Sequence, residues 1–299
     1  MLTGFADPGL PALPPRPADG HKGTFGTVLV AGGCAEPSTM MLGAPVLAAR
    51  AAVRAGGGLV RVAMPDPLLP HALTMAPWAT GVAMPTGDDD ALAPKAADVF
   101  ERAASSADVV VLGPGLGIGS GPSAVVRRLQ DMPGTACVVD ADALNAIASG
   151  SAEPRVGPRS ILTPHPGEFQ RLAAKFDIAA SPIEPAERPE AARLLAERML
   201  AVVVLKGPQT VVSDGVETWT CGHADAALAT GGTGDVLAGT IAGLWASTPD
   251  SITAYNAARL GVEAHARAAA IWRKTVGADA GLLATELCDR LPRALRSLR

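Results

Sequence analysis

Aromatic residues are scarce in this chain: Phe, Trp and Tyr make up 3% of its 299 residues. A core must therefore consist mainly of Ala, Val and Leu, within a hydrophobic content of 48% that is typical of globular proteins. No apolar run reaches the length of a membrane-spanning helix, because charged residues such as Arg50, Arg54, Asp225 and Asp235 interrupt the richest stretches. Near the N-terminus, Asp7 and several prolines stand where a signal peptide needs an apolar centre. These absences predict a cytoplasmic protein with no membrane partner.

Cysteine and positive charge are also limited. The chain has no CxxC pair, and its four cysteines lie far apart, at Cys34, Cys137, Cys221 and Cys288. This spacing predicts buried thiols in a reducing compartment, and it argues against a disulfide or zinc framework. The formal net charge of −4 excludes a general nucleic-acid binder, which would be basic.

Short apolar runs alternate with alanine-rich segments along the chain. We predict strands over residues 27–31, 59–63, 109–112, 137–140, 161–162, 202–205 and 210–213. We predict helices over residues 43–56, 91–104, 233–247, 251–270 and 277–290, a surface loop over 177–190 and an extended proline-rich arm over 1–20. The alternation indicates a mainly parallel sheet with helices on both faces. Such sheets bind ligands beyond the carboxyl ends of their strands.

The densest glycine motif covers residues 229–239 and precedes a helix of small residues. The backbone N–H groups of Thr233 and Gly234 would extend from the helix N-terminus, where unpaired amides and the helix dipole favour an anion. Asp235 could take a proton from a substrate hydroxyl, and the dipole would favour its ionised form. The competing interpretation is a helix cap with a turn. The glycines are denser than a cap requires, which favours anion binding.

A second glycine-rich run, residues 113–119, follows a predicted strand. It lacks the GxGxxG spacing of a dinucleotide fingerprint, and the chain has no GxxxxGK[ST] phosphate loop. Its glycines would let a ligand approach the backbone closely, or they could simply form a flexible turn.

Polar residues follow two other predicted strands. Residues 163–168 hold His165 between two prolines, which fix the backbone around it. This histidine is either a rigid ligand contact or an ordinary surface residue. Glu168 could cap the next helix or hold a metal ion through water. Residues 206–210 suit a nucleotide phosphate or ribose, or form a tight turn with a solvated Lys206.

Two pairs of charged residues have less specific patterns. Asp140 and Asp142 flank the end of a predicted strand, where one of them can cap the following helix. Arg50 and Arg54 share one face of a predicted helix. We expect these arginines to be solvated or to lie at a subunit contact, not to act in catalysis.

Taken in order, the motifs resemble the ADP-dependent NAD(P)H-hydrate dehydratase family of the ribokinase-like superfamily. The matching segments are residues 21–26, 28–33, 43–45, 56–60, 112–117, 139–145, 162–168, 205–207 and 231–239. The resemblance runs from about residue 15 to the C-terminus, and it implies a ribokinase-like three-layer αβα sandwich with a mainly parallel central sheet. It also implies one domain over residues 1–299, with no epimerase domain.

The resemblance implies a repair reaction on nicotinamide cofactors. Hydrated NADH or NADPH, as the S epimer, would be phosphorylated on its new hydroxyl from ADP or ATP with Mg²⁺, and phosphate would then be eliminated. Phosphate is a far better leaving group than hydroxide. We expect an oligomer of identical chains and a separate protein for epimerisation.

The resemblance also assigns roles to individual residues. Asp235 would be the catalytic base. The hydrated cofactor would contact Ala44, Gly117, His165 and Asp235. The adenine nucleotide would contact Lys206, Gly207, Pro208, Gln209, Thr210 and Gly234, and the anion hole would consist of the amides of Thr233 and Gly234. Residues 34–41 depart from the family pattern, so the resemblance assigns no substrate contact there.

Two other functions fit part of the pattern. A small-molecule kinase of the hydroxyethylthiazole type would use Asp235 in the same way but would release its phosphorylated product. A nucleotide-binding module without catalysis would keep only the glycines. Residues 163–168 favour the dehydratase over the kinase, and the presence of Asp235 beside the glycines argues against the module.

Overall fold

The computed structural model describes residues 9–150, 156–248 and 251–299. Within them, one sheet contains the strands in the order β3-β2-β1-β4-β5-β6-β7-β8-β9. The strands are β1 (Thr27–Ala31), β2 (Leu59–Pro65), β3 (Thr80–Met84), β4 (Val109–Leu112), β5 (Cys137–Val139), β6 (Ser160–Leu162), β7 (Val202–Leu205), β8 (Val211–Ser213) and β9 (Thr218–Thr220). All neighbours from β3 to β7 pair in parallel, whereas β8 and β9 pair antiparallel at one edge.

Helices cover both faces of the sheet. They are α1 (Gly43–Ala55), α2 (Leu69–Met75), α3 (Ala96–Ala104), α4 (Ser120–Gln130), α5 (Ala141–Ser149), α6 (Pro166–Lys175), α7 (Arg188–Met199), α8 (Thr233–Ser247), α9 (Ala254–Val276) and α10 (Ala284–Arg296). No helix in the described part of the chain is both long enough and apolar enough to span a lipid bilayer.

Two hydrophobic cores lie on opposite faces of the sheet. Val28 and Val30 of β1 belong to the core that includes side chains of α1, α8 and α9. Leu29 and Ala31 of the same strand belong to the core built with α3 to α7. Successive side chains of a strand alternate between faces, so β1 is buried on both. The predicted three-layer αβα sandwich is confirmed.

The chain order within the sheet reverses between β1 and β4. From β1 the chain moves outward to β2 and β3, and it then returns to place β4 on the other side of β1. The loops that follow β1 and β4 therefore meet at a crevice, where the Gly33 N–H donates to the Pro114 carbonyl oxygen at 3.0 Å. This is the place where such sheets bind ligands.

The predicted strands are all present, with ends shifted by at most two residues. The edge strands β3 and β9 and the helices α2, α4 and α7 were not predicted, and α5 and α6 were expected only as helices of unstated length after Asp140 and Glu168. The helix predicted from residue 91 begins only at Ala96, because Pro94 disfavours helical backbone in the residue before it. The predicted loop over 177–190 includes the start of α7 at Arg188.

The proline-rich arm lies partly outside the described residues. Over residues 9–17 it forms no helix or strand. The buried Leu13 anchors this segment, and its N–H donates to the Leu298 carbonyl oxygen at 2.7 Å.

The cysteines are buried and free, as predicted. The expectation that the two arginines of α1 are solvated holds for Arg54, which is exposed, whereas Arg50 is half-buried. Arg50 and Arg54 bind the carboxylate of Asp289 in α10, at 2.9 and 2.8 Å, so they tie two helices of the same chain together.

Candidate active site

The N-terminus of α8 is the centre of the site. Gly232 precedes the helix with a left-handed φ of 88°, and a Cβ atom there would lie 2.6 Å from the Leu47 side chain. Only glycine suits this position. The Val236 N–H makes the first-turn hydrogen bond, to the Gly232 carbonyl oxygen at 3.1 Å. The amides of Thr233 and Gly234 precede that bond, so they are among the helix-start N–H groups that favour an anion.

Asp235 lies in the first turn of α8, half-buried. The pKa of its carboxyl group is raised to about 7, chiefly by burial and then by the nearby Asp140 carboxylate, while Lys206 acts in the opposite direction. The effect of the helix dipole, which favours the ionised form, is outweighed by the loss of hydration. A carboxylate with a pKa near neutral is well matched to accept a proton and later release it.

Lys206 connects the motifs at the site. Its Nζ lies 2.7 Å from Asp140 Oδ1 and 3.7 Å from Glu168 Oε2. A Cβ atom placed on Gly234 would lie 3.5 Å from the same Nζ. Burial lowers the pKa of Lys206, but the carboxylates of Asp140 and Glu168 raise it by more, so its pKa lies above the usual value and the ammonium persists. Buried carboxylates thus hold a positive charge beside the first turn of α8.

His165 is fixed by the start of α6. Its Nδ1 accepts from the N–H groups of Gly167 and Glu168, at 3.0 and 3.3 Å. The Glu168 carboxylate in turn accepts from the His165 N–H at 2.8 Å, which completes a capping box. Burial raises the pKa of Glu168. Its Nε2 lies 3.3 Å from Glu168 Oε1, so both ring nitrogens have partners within the chain, while half of the side chain is exposed and can contact a ligand.

Ala44 and Gly117 lie at the crevice between β1 and β4. The Gly117 N–H donates to the Asp142 carboxylate at 2.9 Å, so Asp142 holds the glycine-rich loop. A Cβ atom on Gly117 would lie 3.0 Å from the Cys34 sulfur. Cys34 and Met41 exchange backbone hydrogen bonds of 3.0 and 2.8 Å. The segment that departs from the family pattern therefore packs directly against Gly117.

A cavity of about 460 Å³ adjoins the N-terminus of α8. It is lined by four of the five residues predicted in the nucleotide loop, Lys206, Gly207, Pro208 and Thr210, and by Gly234. Gln209 instead lines a separate cavity of about 250 Å³ beside Pro166 and Arg188. Its backbone is left-handed, with a φ of 53°, which turns it away from its neighbours.

The donors available to a metal ion near the site are oxygen atoms, chiefly those of Asp140 and Glu168. No group of three or more His, Cys, Asp or Glu side chains is arranged to hold a metal within the described ranges. This donor set fits Mg²⁺, which binds through one or two carboxylates together with water and substrate phosphates.

His265 was not identified from the sequence. It lies on α9, lines the 460 Å³ cavity and is 8% exposed. Its Nε2 lies 2.9 Å from the Thr233 carbonyl oxygen. A single histidine in a long helix carries no motif, so only the packing of α9 against α8 reveals it.

Comparison with known proteins decides the family. The profile of NAD(P)H-hydrate dehydratase matches residues 28–293. A relative from Neisseria meningitidis, named ADP-dependent (S)-NAD(P)H-hydrate dehydratase, is 37% identical over 280 residues, which is 91% of this chain and 86% of the relative. The chain belongs to the NAD(P)H-hydrate dehydratase family. The resemblance found in the sequence motifs is confirmed.

Other members of the family are longer. A bifunctional NAD(P)H-hydrate repair enzyme of Salinibacter ruber is 42% identical over 289 residues, which is 94% of this chain but 50% of that enzyme. The chain therefore spans about half the length of the bifunctional relatives that it matches.

Solved structures agree with the fold. The ADP/ATP-dependent NAD(P)H-hydrate dehydratase of Bacillus subtilis, crystallised with ATP and Mg²⁺, has a TM-score of 0.76 at 31% identity and covers 96% of this chain and 95% of its own. Hydroxyethylthiazole kinase of Pyrococcus horikoshii has a TM-score of 0.58 at 17% identity, covers 91% of each chain and shares the fold alone. The ribokinase-like fold of the dehydratase family is thus shown.

Proposed function

We propose that this protein dehydrates the S epimer of hydrated NADH or NADPH in a reaction that consumes ADP or ATP. One observation carries the proposal: Lys206 Nζ lies beside both Glu168, from the motif typical of the dehydratases, and Gly234, from the wider kinase-like motif. Residues 163–168, which contain His165, therefore lie in the same site as the start of α8 at Thr233 and Gly234.

The first step would be phosphoryl transfer to the hydroxyl of the hydrate. The Asp235 carboxylate accepts the hydroxyl proton, and the oxygen forms a bond to the terminal phosphorus of the nucleotide. The bond from that phosphorus to the bridging oxygen breaks, and AMP leaves from ADP, or ADP from ATP. The amides of Thr233 and Gly234, with the Lys206 ammonium, would stabilise the charge on the transferring group, since positioning and electrostatics dominate such reactions.

The second step would be elimination. The phosphate departs with the electrons of its bond to carbon, and the neighbouring carbon gives up a proton to water or to the departing phosphate. The ring double bond re-forms with no net change of oxidation state, which restores NADH or NADPH. His165 and the loops around Ala44 and Gly117 would hold the nicotinamide ring during both steps.

Mg²⁺ would neutralise charge on the nucleotide phosphates when bound. Glu168 would hold it through water, together with the nucleotide phosphates, whereas Asp140 pairs with the Lys206 ammonium at 2.7 Å.

A turnover assay tests the proposed function. Purified protein is mixed with hydrated NADH, and the absorbance of restored NADH is followed with no nucleotide, with ADP–Mg²⁺ and with ATP–Mg²⁺. We expect restoration only when a nucleotide is present, together with release of inorganic phosphate. Restoration without nucleotide would rule out the phosphorylation route. A stable phosphorylated product would support the small-molecule kinase, and nucleotide binding without turnover would support the non-catalytic module.

The remaining expectations belong to the same proposal. Epimerisation would be carried out by a separate protein, and the dehydratase would act as an oligomer of identical chains in the cytoplasm. Adding the R epimer to the same assay tests the first point, because R hydrate should persist after the S epimer is consumed. Light scattering of the purified protein tests the second.

A further inference from the structure

His265 is a buried histidine at the site that the proposed reaction leaves without a role. Its ring lies between α9 and the first turn of α8, and its Nε2 is 2.9 Å from the carbonyl oxygen of Thr233. A carbonyl oxygen can only accept a hydrogen bond, so Nε2 must carry the proton and donate. The pKa of His265 is lowered to about 4, chiefly by burial and also by the positive charge of Lys206, while the hydrogen bond to Thr233 opposes them. The ring is therefore neutral at physiological pH.

The hydrogen bond reaches the anion hole through one peptide group. The carbonyl of Thr233 and the N–H of Gly234 belong to the same planar trans peptide, so fixing the direction of one fixes the direction of the other. Donation to the carbonyl also polarises the peptide, which strengthens its N–H as a donor. The hydrogen bond from His265 can therefore orient and polarise the Gly234 N–H without contacting it directly.

Further hydrogen bonds hold the same turn. The Thr233 hydroxyl donates to the carbonyl oxygens of Leu228 and Thr230, at 2.9 and 3.0 Å. These bonds tie the side chain of Thr233 to the preceding loop, and the bond from His265 ties its carbonyl to α9.

We propose that His265 is a positioning residue that orients the Gly234 amide toward the transferring phosphoryl group. The inference rests on the proposed function, because it assigns the oriented amide to the phosphoryl-transfer step. A positioning role of this kind affects the transition state more than the bound nucleotide. It predicts a loss in kcat that is separate from nucleotide affinity.

Two substitutions separate the hydrogen bond from packing. His265→Gln keeps an amide N–H the same number of bonds from Cβ as Nε2 of the imidazole, whereas His265→Met fills similar volume without any donor. We expect His265→Met to lower kcat about tenfold, the effect of losing one hydrogen bond in the transition state. We expect His265→Gln to stay within about threefold of the wild type, since its donor is retained. The dissociation constant for ADP, measured by calorimetry, should change less than about twofold in both.

The control is a buried residue of α9 outside the site. Ile271→Val trims a buried side chain in a smaller hydrophobic cluster that α9 forms with residues of α10. It should lower the melting temperature and leave kcat unchanged. Should His265→Met prove unstable, His265→Asn supplies the comparison, because its amide is one bond too short to reach the carbonyl.

Each outcome decides the inference. Equal kcat in His265→Met and the wild type, equal losses in the Met, Asn and Gln variants, or a change confined to ADP affinity would overturn it. A wild-type protein that binds ADP but never restores NADH would instead overturn the proposed function, and with it this inference. The two failures differ because the first leaves the wild-type enzyme active.

Discussion

Asp235 is subject to two opposing effects. The first turn of α8 favours a negative charge, whereas burial and the nearby Asp140 carboxylate oppose it. The result is a carboxyl group with a pKa of about 7, which changes protonation state near neutral pH. A group of this kind can accept a proton from a hydroxyl far more readily than a fully solvated aspartate, whose conjugate acid is stronger.

Asp235→Asn tests this role. Asparagine keeps the size and the capping ability of the side chain but cannot take the proton. We expect kcat for hydrate turnover to fall about 10²- to 10⁴-fold, the usual effect of losing a general base. The dissociation constant for ADP should change little.

The matched control is Asp289→Asn, which removes a surface carboxylate that pairs with Arg50 and Arg54. It should leave kcat at the wild-type level. If Asp235→Asn also turns over at the wild-type rate, Asp235 is only a helix cap.

For individual residues, the sequence predicted most of the side chains at the site but not their pKa values or their contacts. Asp235, Lys206 and His165 stand in recognisable motifs after strands, so they could be predicted. The raised pKa of Asp235 and the pairing of Lys206 with Asp140 depend on burial and on residues far away in the chain. His265 has no pattern of its own, and its contact with Thr233 exists only because α9 packs on α8.

At the scale of elements, α1 and α8 are in direct backbone contact. A Cβ atom on Gly239 would lie 2.0 Å from the Ala48 carbonyl oxygen, and one on Gly243 would lie 2.2 Å from that of Ala52. No side-chain layer separates the two helices at these points. Small residues in α1 and α8 allow this close approach of the two helices. In the sequence the same residues indicate only that the segments are helical.

Gly239→Ala should therefore destabilise the protein. Alanine improves helix propensity by about 1 kcal/mol relative to glycine, but the added methyl group must push two backbones apart. Overpacking of this kind costs about 1–3 kcal/mol and should outweigh the gain. Urea unfolding measures the difference.

Gly134→Ala is the control, because nothing lies within 4 Å of the added methyl group. It should leave the unfolding midpoint nearly unchanged. A Gly239→Ala variant as stable as the wild type would mean that the two helices separate without cost.

The elements that were not predicted lie mainly at the edges of the sheet. β3 (Thr80–Met84) is largely exposed, and β9 is a three-residue strand with a threonine at each end, so neither shows the continuous apolar run of a strand buried on both faces. The prolines around residue 185 predict a loop, yet Pro189 stands in the first turn of α7, where its missing N–H removes no helical hydrogen bond.

For the whole molecule, burial of Asp235 links its proposed catalytic role to stability. The folded-state pKa of about 7 lies above the unfolded value of about 3.9, so the folded state binds more protons between these pH values. This group's contribution to stability is then fully present below about pH 4 and is lost as the pH rises through about 7. At higher pH the wild-type protein carries a buried charge that costs stability.

Asp235→Asn should remove that dependence. We expect the variant to melt at a higher temperature than the wild type at pH 8, and we expect the difference to shrink toward zero as the pH falls to about 4. Melting curves of both proteins across this range measure it. A constant difference at every pH, or a variant less stable at pH 8, would contradict the raised pKa.

The architecture of the molecule was easier to predict than its site. Interior strands such as β1, β4 and β7 are continuous apolar runs that must be covered on both faces, which leaves few folds other than a layered α/β sandwich. The site is assembled from loops after β1, β4, β5, β6 and β7 and from the start of α8. The distances between these loops are set by the pairing of the strands in the sheet, so no local sequence pattern predicts them.

The contact between α1 and α8 also limits which residues of this protein can be substituted during evolution. Gly239 lies on Ala48 and Gly243 on Ala52, so the two helices run side by side in the same direction, and one turn earlier stand Asp235 and Ala44. The distance between Asp235 and Ala44 is set by contact between main-chain atoms, which are the same for every residue type. Side chains in the core against the sheet can therefore be substituted without changing this distance, provided that Gly239 and Gly243 are retained.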